Sequence, residues 1–176
     1  PVASFYANIL AFDGYYEKQW FPYTMPISDI ISLRVAIDNI LEEGKEKVIG
    51  RHRKIGEATR KAVKEYGLDL FLKNGYSNTV TAVEIPEKIG ALNLRNHLNK
   101  KKNVIMSTSL DRYEDKLLRI GHMGENANIE DITYVLNAID KALKDLGFSS
   151  EKQLDKLLVI ANLIQNNIVK ILIKHY

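Results

Sequence analysis

The sequence predicts an α+β fold in which helices cover one face of a small antiparallel sheet, with an extra helix at the C-terminal end. Two observations support this fold class. The hydrophobic periodicity runs in the order helices, strands, helix, strands, helix, helix, which is typical of α+β proteins. The length of 176 residues suffices for one hydrophobic core but hardly for two, so we expect a single compact unit.

The first predicted helices follow an aromatic stretch. Residues 1–26 hold most of the aromatic side chains and show no sustained period. From Ser28, which we predict to be an N-cap, apolar residues recur every three or four positions. Gly44 interrupts this pattern, and a second helical run ends at Tyr66, before Gly67. We therefore expect either one kinked helix or two consecutive helices.

Strand signals begin after Gly67. A leucine at every second position precedes the turn signal Asn74-Gly75, and a run rich in β-branched residues follows it. Helical spacing returns over residues 90–100, and two short apolar runs come after it. The predicted strands are residues 68–72, 79–85, 104–106 and 117–120.

Two more helices are predicted in the C-terminal part. Asn128, with Asp131 three residues later, resembles a capping box for a helix that Gly147 ends. Ser150 and Gln153 give the same signal for the last helix. That helix carries an apolar stripe from Leu154 to Leu172, which includes Ile168 and Ile171.

The composition excludes several classes of protein. The absence of cysteine rules out a disulfide-stapled scaffold and any thiolate metal site, and it fits a reducing compartment, so we expect a cytoplasmic protein. A net charge of +3 is too small to indicate nucleic acid as a partner. No apolar run is long enough to span a membrane, so we expect no membrane association.

The four histidines and one run of three lysines do not show the sequence patterns of a functional site. The four histidines are scattered singly, so the sequence predicts neither a metal site nor a nucleophile with its base. We interpret His52, His97 and His175 as surface or helix-face residues without a catalytic role. The lysines at positions 100–102 are interpreted as a solvated connection rather than a phosphate site.

Arg119 differs from these residues because it stands inside an apolar strand pattern. A guanidinium is costly there unless it is paired or faces a cleft that receives an anion. At the end of a strand, an arginine can hold both oxygens of a carboxylate. Residue chemistry alone leaves two interpretations open, an anion site and a structural ion pair.

Five short motifs follow one another in a characteristic order. They are Pro22-Tyr23-Thr24-Met25-Pro26, Ser32-Leu33-Arg34, Leu41-Glu42-Glu43-Gly44, Arg51-His52-Arg53 and Arg119-Ile120-Gly121-His122-Met123-Gly124. Over about residues 4–147, this combination resembles the C-terminal part of the class V pyridoxal-phosphate aminotransferases. Within that family it is most similar to the alanine–glyoxylate and serine–pyruvate group.

The resemblance implies a fold type I enzyme, whose small C-terminal domain this chain would supply. It implies that Arg119 binds the α-carboxylate of the amino acid or keto acid. It also implies that Thr24, with Tyr23 beside it, contacts the cofactor phosphate of the neighbouring subunit in a homodimer. Two positions depart from the family. Phe21 stands where relatives often have a tyrosine, and residues 107–108 stand where relatives often have glycines.

In this family, the lysine that carries the cofactor, the acid beside the pyridine nitrogen and the phosphate cup all precede the point where this sequence begins. The sequence begins with Pro1, and Lys18, Lys45 and Lys116 do not have the serine-rich surroundings of the catalytic lysine. The resemblance therefore implies that no catalytic residue lies in this chain. We expect it neither to bind pyridoxal phosphate stably nor to transfer amino groups in isolation.

The predicted function is that of the C-terminal segment of an aminotransferase. The complete enzyme would transfer amino groups between small amino acids, alanine or serine, and the keto acids glyoxylate or pyruvate. Residues 1–26 would be an arm of the large domain, residues 27–147 the small domain, and residues 148–176 an extra amphipathic helix. The alternative is a non-catalytic α+β interaction domain that kept this fold.

Overall fold

A computed structural model describes residues 4–174 of the chain, with side chains as far as Gln165. The chain divides into two compact units, the first ending at Lys45 and the second beginning at Glu46. This differs from the single unit that the length favours. The reason lies in the first unit, where none of residues 4–45 is buried, so it contributes nothing to the hydrophobic core.

The first unit contains an aromatic cluster and two helices, α1 (Tyr15–Lys18) and α2 (Ile27–Glu43). In the cluster, Phe12 makes edge-to-face contacts with Tyr15, Phe21 and Tyr23. The prediction of Ser28 as an N-cap is wrong. Pro26 occupies that position, and its carbonyl accepts the first helical hydrogen bond, from the amide of Ile30.

The second long helix, α3 (Lys45–Tyr66), is separate from α2. Gly44 separates them with φ +92°, a conformation that glycine adopts without strain. Of the two alternatives, the structure therefore has two consecutive helices. At the other end of α3, Gly67 has φ +99°, and the amide of Leu68 donates to the carbonyl of Val63. This confirms the predicted left-handed cap.

The sheet has four strands: β1 (Asp69–Leu70), β2 (Val80–Glu84), β3 (Ser107–Thr108) and β4 (Leu117–Gly121). Their order is β1-β2-β4-β3, and every neighbouring pair is antiparallel, as predicted. The strand predicted at residues 104–106 is wrong, because pairing begins only at Ser107. The amide of Val104 still donates to Leu98 at the end of the preceding helix.

The two central strands have a buried face and an open face. Thr81 and Val83 lie opposite Ile120 and Leu118, and all four are buried. This face packs with residues of the surrounding helices in one hydrophobic core. Residues of opposite parity, among them Arg119, lie on the other face, which the helices leave more open.

Three helices complete the second unit: α4 (Ala91–Lys102), α5 (Ile129–Asp145) and α6 (Leu154–Lys174). The cap of α5 is confirmed, since the side-chain oxygen of Asn128 accepts from the amide of Asp131 at 2.8 Å. The cap predicted at Ser150 is wrong, because α6 begins only at Leu154. The hydroxyl oxygen of Ser150 instead accepts from the amide of Lys152.

The first half of α6 belongs to the core of the second unit. Leu154, Leu158 and Ala161 are buried among the core residues. The apolar residues predicted for its last turns, Ile168, Ile171 and Leu172, lie outside the described side chains. Within residues 4–174, no helix combines the length and the apolar character that crossing a membrane would need.

Candidate functional site

Arg119 rises from the open face of the sheet between two small residues. It lies opposite Ala82 of β2 on one side and opposite Ser107 of β3 on the other. Gly121, two positions further along β4, belongs to the same face. Small neighbours leave room above the sheet, so the guanidinium stands over a depression rather than within packed side chains.

That depression is a cleft of about 440 Å³, which we call the Arg119 cleft. Its floor is the open face of the sheet around Arg119. Three segments form its walls: the residues before β3, the residues after β4, and the first two turns of α5. The lining residues are Val80, Val104, Ile105, Met106, Ser107, Arg119, Gly121, Met123, Asn126, Asp131, Ile132 and Val135.

The guanidinium of Arg119 is held at one of its three nitrogens. Its Nε donates to the carbonyl of Thr108 at 2.9 Å. In the part of the chain that the structure describes, no carboxylate lies within ion-pair distance of it. The structure therefore gives no support to the interpretation of Arg119 as half of a structural ion pair. The two Nη nitrogens of the charged guanidinium, whose orientation the Nε bond fixes, are therefore available to bind an anion as a two-pronged fork.

His122 lies behind the cleft, on the buried face of the sheet. Its ring is fully buried, with Nδ1 at 3.1 Å from the carbonyl of Asn78 and Nε2 at 2.8 Å from the hydroxyl of Thr81. A carbonyl only accepts, so Nδ1 carries the proton and Nε2 accepts from Thr81. Burial lowers the pKa of His122, helped by the charge of Arg60 and opposed by the Asn78 carbonyl.

The other predicted site residues, Tyr23 and Thr24, belong to the first unit. The hydroxyl of Tyr23 donates to the carbonyl of Phe5 at 2.6 Å, and its ring lies in the aromatic cluster. Thr24 is exposed, and its hydroxyl has no hydrogen-bond partner among the described residues. The structure therefore places these two residues in a different unit from Arg119.

Comparison with known proteins finds several similar aminotransferases. An uncharacterized aminotransferase of Methanocaldococcus jannaschii is 38% identical over 146 residues, which are 82% of this chain and 38% of that protein. The serine–glyoxylate aminotransferase of Arabidopsis thaliana is 37% identical over 131 residues, 73% of this chain and 32% of that protein.

Solved structures agree with the sequence matches. The ureidoglycine–glyoxylate aminotransferase of Bacillus subtilis superposes with a TM-score of 0.82 at 26% identity, over 92% of this chain and 42% of that one. No protein-family model matches the chain. This chain belongs to the class V aminotransferase family. It corresponds to the C-terminal region of these pyridoxal-phosphate-dependent enzymes and spans roughly a third of the length of the relatives named above.

The family implies pyridoxal phosphate, and the residues present fit one part of that cofactor. The exposed hydroxyl of Thr24, without a protein partner among the described residues, can donate to a phosphate oxygen. The hydroxyl of Tyr23 would have to exchange its bond with the Phe5 carbonyl for one with the phosphate. Phe21 lies in the aromatic cluster and has no hydroxyl to offer.

His52 is one of the histidines predicted to have no catalytic role. In the structure it contacts the wall of the Arg119 cleft. Its Nε2 accepts from the amide of Gly124 at 3.0 Å. The position of His52 on a helix face could have indicated that it packs against the rest of the protein. Val48, His52 and Ile55 are spaced by four and three residues, which puts the histidine on the apolar stripe of α3.

The remaining candidates lie away from the cleft. His97 and Lys102 both contact the carboxylate of Asp145, at 2.9 and 2.8 Å, and these two contacts lower the pKa of Asp145. At least one lysine of the 100–102 run is thus in an ion pair. His175 lies outside the described residues.

We predict that lowering the pH from about 7.5 to about 5.5 destabilises the chain through His122. The folded ring has a lowered pKa and stays neutral, whereas the unfolded ring takes a proton near pH 6.5. The stabilisation is therefore complete above pH 6.5 and is lost as the pH falls. The loss amounts to about 1.4 kcal/mol per pH unit while only the unfolded ring is protonated.

Urea unfolding at several pH values checks this prediction. His122→Asn should be less stable at pH 7.5 but should lose stability less steeply below pH 6.5. His97→Asn, a matched change at a partly exposed histidine, should keep the steeper dependence. An unchanged slope in His122→Asn would show that another group is responsible.

Proposed function

We propose that this chain is part of an aminotransferase that moves an amino group between small amino acids and 2-keto acids. Alanine or serine is the proposed donor, and glyoxylate or pyruvate the proposed acceptor. The observation that carries the proposal is the guanidinium of Arg119, which stands in a cleft without an ion-pair partner among the described residues. The names of relatives that act on serine and glyoxylate support it.

In this proposal, Arg119 binds the carboxylate that every donor and acceptor shares. Its Nε is held by the Thr108 carbonyl, so the fork keeps one orientation and its other nitrogens can bind both carboxylate oxygens. The apolar residues Val80, Val104 and Met106 line the cleft beside that contact. The small residues Ala82 and Ser107 leave space for the substrate beside the fork.

The charges around the cleft favour substrates with a single carboxylate. Among the residues that line it in the described part of the chain, Arg119 is the only cation. Asp131, on the facing wall, adds a negative charge that disfavours a second carboxylate. This arrangement supports one carboxylate bound at the cleft, as pyruvate, glyoxylate, alanine and serine each provide.

When bound, pyridoxal phosphate supplies the electron sink for the carbon that exchanges its amino group. We propose that Thr24 donates a hydrogen bond to its phosphate from the neighbouring subunit of a homodimer, with Tyr23 beside it. The apolar residues that α2 exposes, such as Ile31 and Leu41, support a partner surface in the complete protein, since exposed apolar patches of this kind mark interfaces.

The proposed organisation follows the family. We propose that residues 27–147 correspond to the small C-terminal domain of a fold type I enzyme, residues 1–26 to an arm of the large domain, and residues 148–176 to an additional helix. In this chain, residues 27–45 belong to the first compact unit, and the first half of the additional helix packs in the core of the second. The lysine that carries the cofactor lies in the region of the relatives that this chain does not match.

Arg119→Lys in the complete protein should raise KM for the amino acid and for the keto acid alike. An ammonium replaces a fork that holds both carboxylate oxygens, at a cost of about 2 kcal/mol, or about thirtyfold in kcat/KM. Steady-state kinetics with alanine, serine, glyoxylate and pyruvate measure this effect. Arg95→Lys, a half-buried arginine on α4 that does not line the cleft, is the matched control and should behave like the wild type.

Equal kinetics of Arg119→Lys and the wild type would exclude Arg119 as the carboxylate contact. Absence of amino transfer in the wild-type protein with all donor and acceptor pairs would instead favour the interaction domain.

Thr24→Val should weaken retention of the cofactor without destabilising the apo protein. Valine has a similar volume but lacks the hydroxyl, so one hydrogen bond to a charged phosphate is lost and the Kd for pyridoxal phosphate should rise about tenfold. Fluorescence titration of the apo protein measures the Kd, and thermal unfolding measures stability. Thr133→Val, whose hydroxyl bonds within α5, is the control. An equal loss of stability in the apo and holo forms would contradict the assignment.

The chain by itself should not be labelled by the cofactor at a specific lysine. After incubation with pyridoxal phosphate and reduction with borohydride, peptide mass spectrometry should find only low, scattered labelling over its lysines, whereas the complete protein should be labelled at one lysine outside this chain. Stoichiometric labelling of one lysine here, such as Lys18, Lys45 or Lys116, would contradict the proposal that the catalytic lysine lies elsewhere.

A further inference from the structure

The segment of residues 121–127 connects the strand that carries Arg119 to the cap of α5. It places Met123 and Asn126 in one wall of the Arg119 cleft. Its end, Ala127, is buried and leads directly into Asn128, which caps α5. A shift of this segment would therefore change the shape of the cleft beside the guanidinium.

Helix α3 holds the segment through two neighbouring side chains. Arg51 donates from one Nη to the carbonyl of Gly124 at 2.8 Å and to that of Ala127 at 3.1 Å. His52 accepts the amide proton of Gly124 on its Nε2 at 3.0 Å. The two side chains thus bind both backbone groups of Gly124, from a helix more than seventy positions earlier in the chain.

The ring of His52 is itself fixed in the form that this contact needs. Its Nδ1 lies 2.7 Å from the carbonyl of Val48, one turn earlier on α3, and a carbonyl can only accept. The proton therefore sits on Nδ1, and Nε2 keeps the lone pair that receives the Gly124 amide. Both Arg51 and His52 are half-buried, so water competes only partly for these bonds.

The other hydrogen bonds of this turn are local. Within residues 124–128 of the described chain, they join the amide of Ala127 to Gly124 and the side chain of Asn128 to the carbonyl of Glu125. Local bonds fix the shape of a turn but not its position relative to the sheet. The beginning of the segment is anchored to the sheet through His122, whose amide donates to the Thr79 carbonyl and whose ring bonds Asn78 and Thr81. Beyond His122, the contacts from α3 hold Gly124 and Ala127.

We propose that Arg51 and His52 are positioning residues for the proposed carboxylate site. They hold Gly124 and Ala127, and thereby the part of the segment that places Met123 and Asn126 in the wall of the Arg119 cleft. The inference rests on the proposed function, because it assigns these residues to the cleft in which Arg119 binds substrate. Neither residue touches the substrate.

Two amide substitutions at position 52 isolate the contact with Gly124. In His52→Asn, the short side chain can still donate to the Val48 carbonyl but does not reach Gly124. In His52→Gln, the longer side chain places an amide oxygen near the position of Nε2 and can accept from Gly124 again. His97→Asn and His97→Gln are the matched controls on α4, where the histidine contacts Asp145 and does not line the cleft.

In the complete protein, hydrogen exchange of the Gly124 amide should be faster in His52→Asn and should return toward the wild-type rate in His52→Gln. The KM for pyruvate and alanine should rise about five- to twentyfold in His52→Asn, with kcat within about twofold, and should recover in His52→Gln. Both controls at His97 should leave the exchange rate and both constants unchanged.

Arg119→Lys, measured alongside, separates this inference from the proposed function. If Arg119→Lys has wild-type kinetics, the carboxylate site itself is wrong. If Arg119→Lys raises KM while His52→Asn speeds exchange at Gly124 without changing KM, the site stands and the positioning role is wrong. Failure of His52→Gln to restore KM, with exchange at Gly124 restored, would also overturn the inference.

Discussion

Close packing of α3 against the end of β4 is the constraint on which the second unit depends. At Gly56, a Cβ atom would lie 3.1 Å from Cε1 of His122 and 3.0 Å from Nη1 of Arg60, so a larger residue would require these side chains to shift by a few tenths of an ångström. The close approach buries His122, which joins β4 to the residues around β2 through Asn78 and Thr81. One turn earlier, the same helix brings His52 and Arg51 to the 121–127 segment. The same helix therefore contacts both the core behind the cleft and one of its walls.

Successive side chains of β4 point to opposite faces of the sheet, and this alternation places Arg119 on the face that carries the cleft. Leu118, Ile120 and then His122 point into the core, so Arg119 and Gly121 must point to the opposite face. A shift of one residue in the pairing with β2 would bury the guanidinium and expose the two apolar side chains. The cost of burying an unpaired charge therefore adds to the hydrophobic core in fixing the register. The residue proposed to bind substrate thus also helps to specify the sheet in which it stands.

Much of this arrangement could be predicted from the sequence, and two of the failures have a common cause. Periodicity located the long helices and the two central strands, and the cap at Asn128 was predictable because both of its partners are local. The start of α6 at Leu154 was not predictable, because the side chain of Lys152, two residues earlier, donates a hydrogen bond to the carbonyl of Glu65, which is far away in sequence. Arg119 could be selected because a charge interrupts an apolar strand, whereas His52 was missed because Gly124, its partner, is far away in sequence. Sequence patterns report local partners and the apolar or polar environment, but not which distant backbone group a half-buried side chain binds.

The two units differ in the contacts that stabilise them. Each holds one part of the proposed site, Arg119 in the second unit and Thr24 in the first. The second unit has a continuous core of its own, so the geometry around Arg119 follows from contacts within it. None of the described residues 4–45 of the first unit is buried, and α2 exposes a wide apolar face that includes Ile30, Ile37 and Leu41. Its edge-to-face aromatic contacts stabilise the arm only locally, since such pairs contribute about 1 kcal/mol each. A helix with so wide an apolar face is typically buried in a larger protein. The position of Thr24 is therefore expected to depend on surfaces outside this chain, whereas that of Arg119 is intrinsic to it.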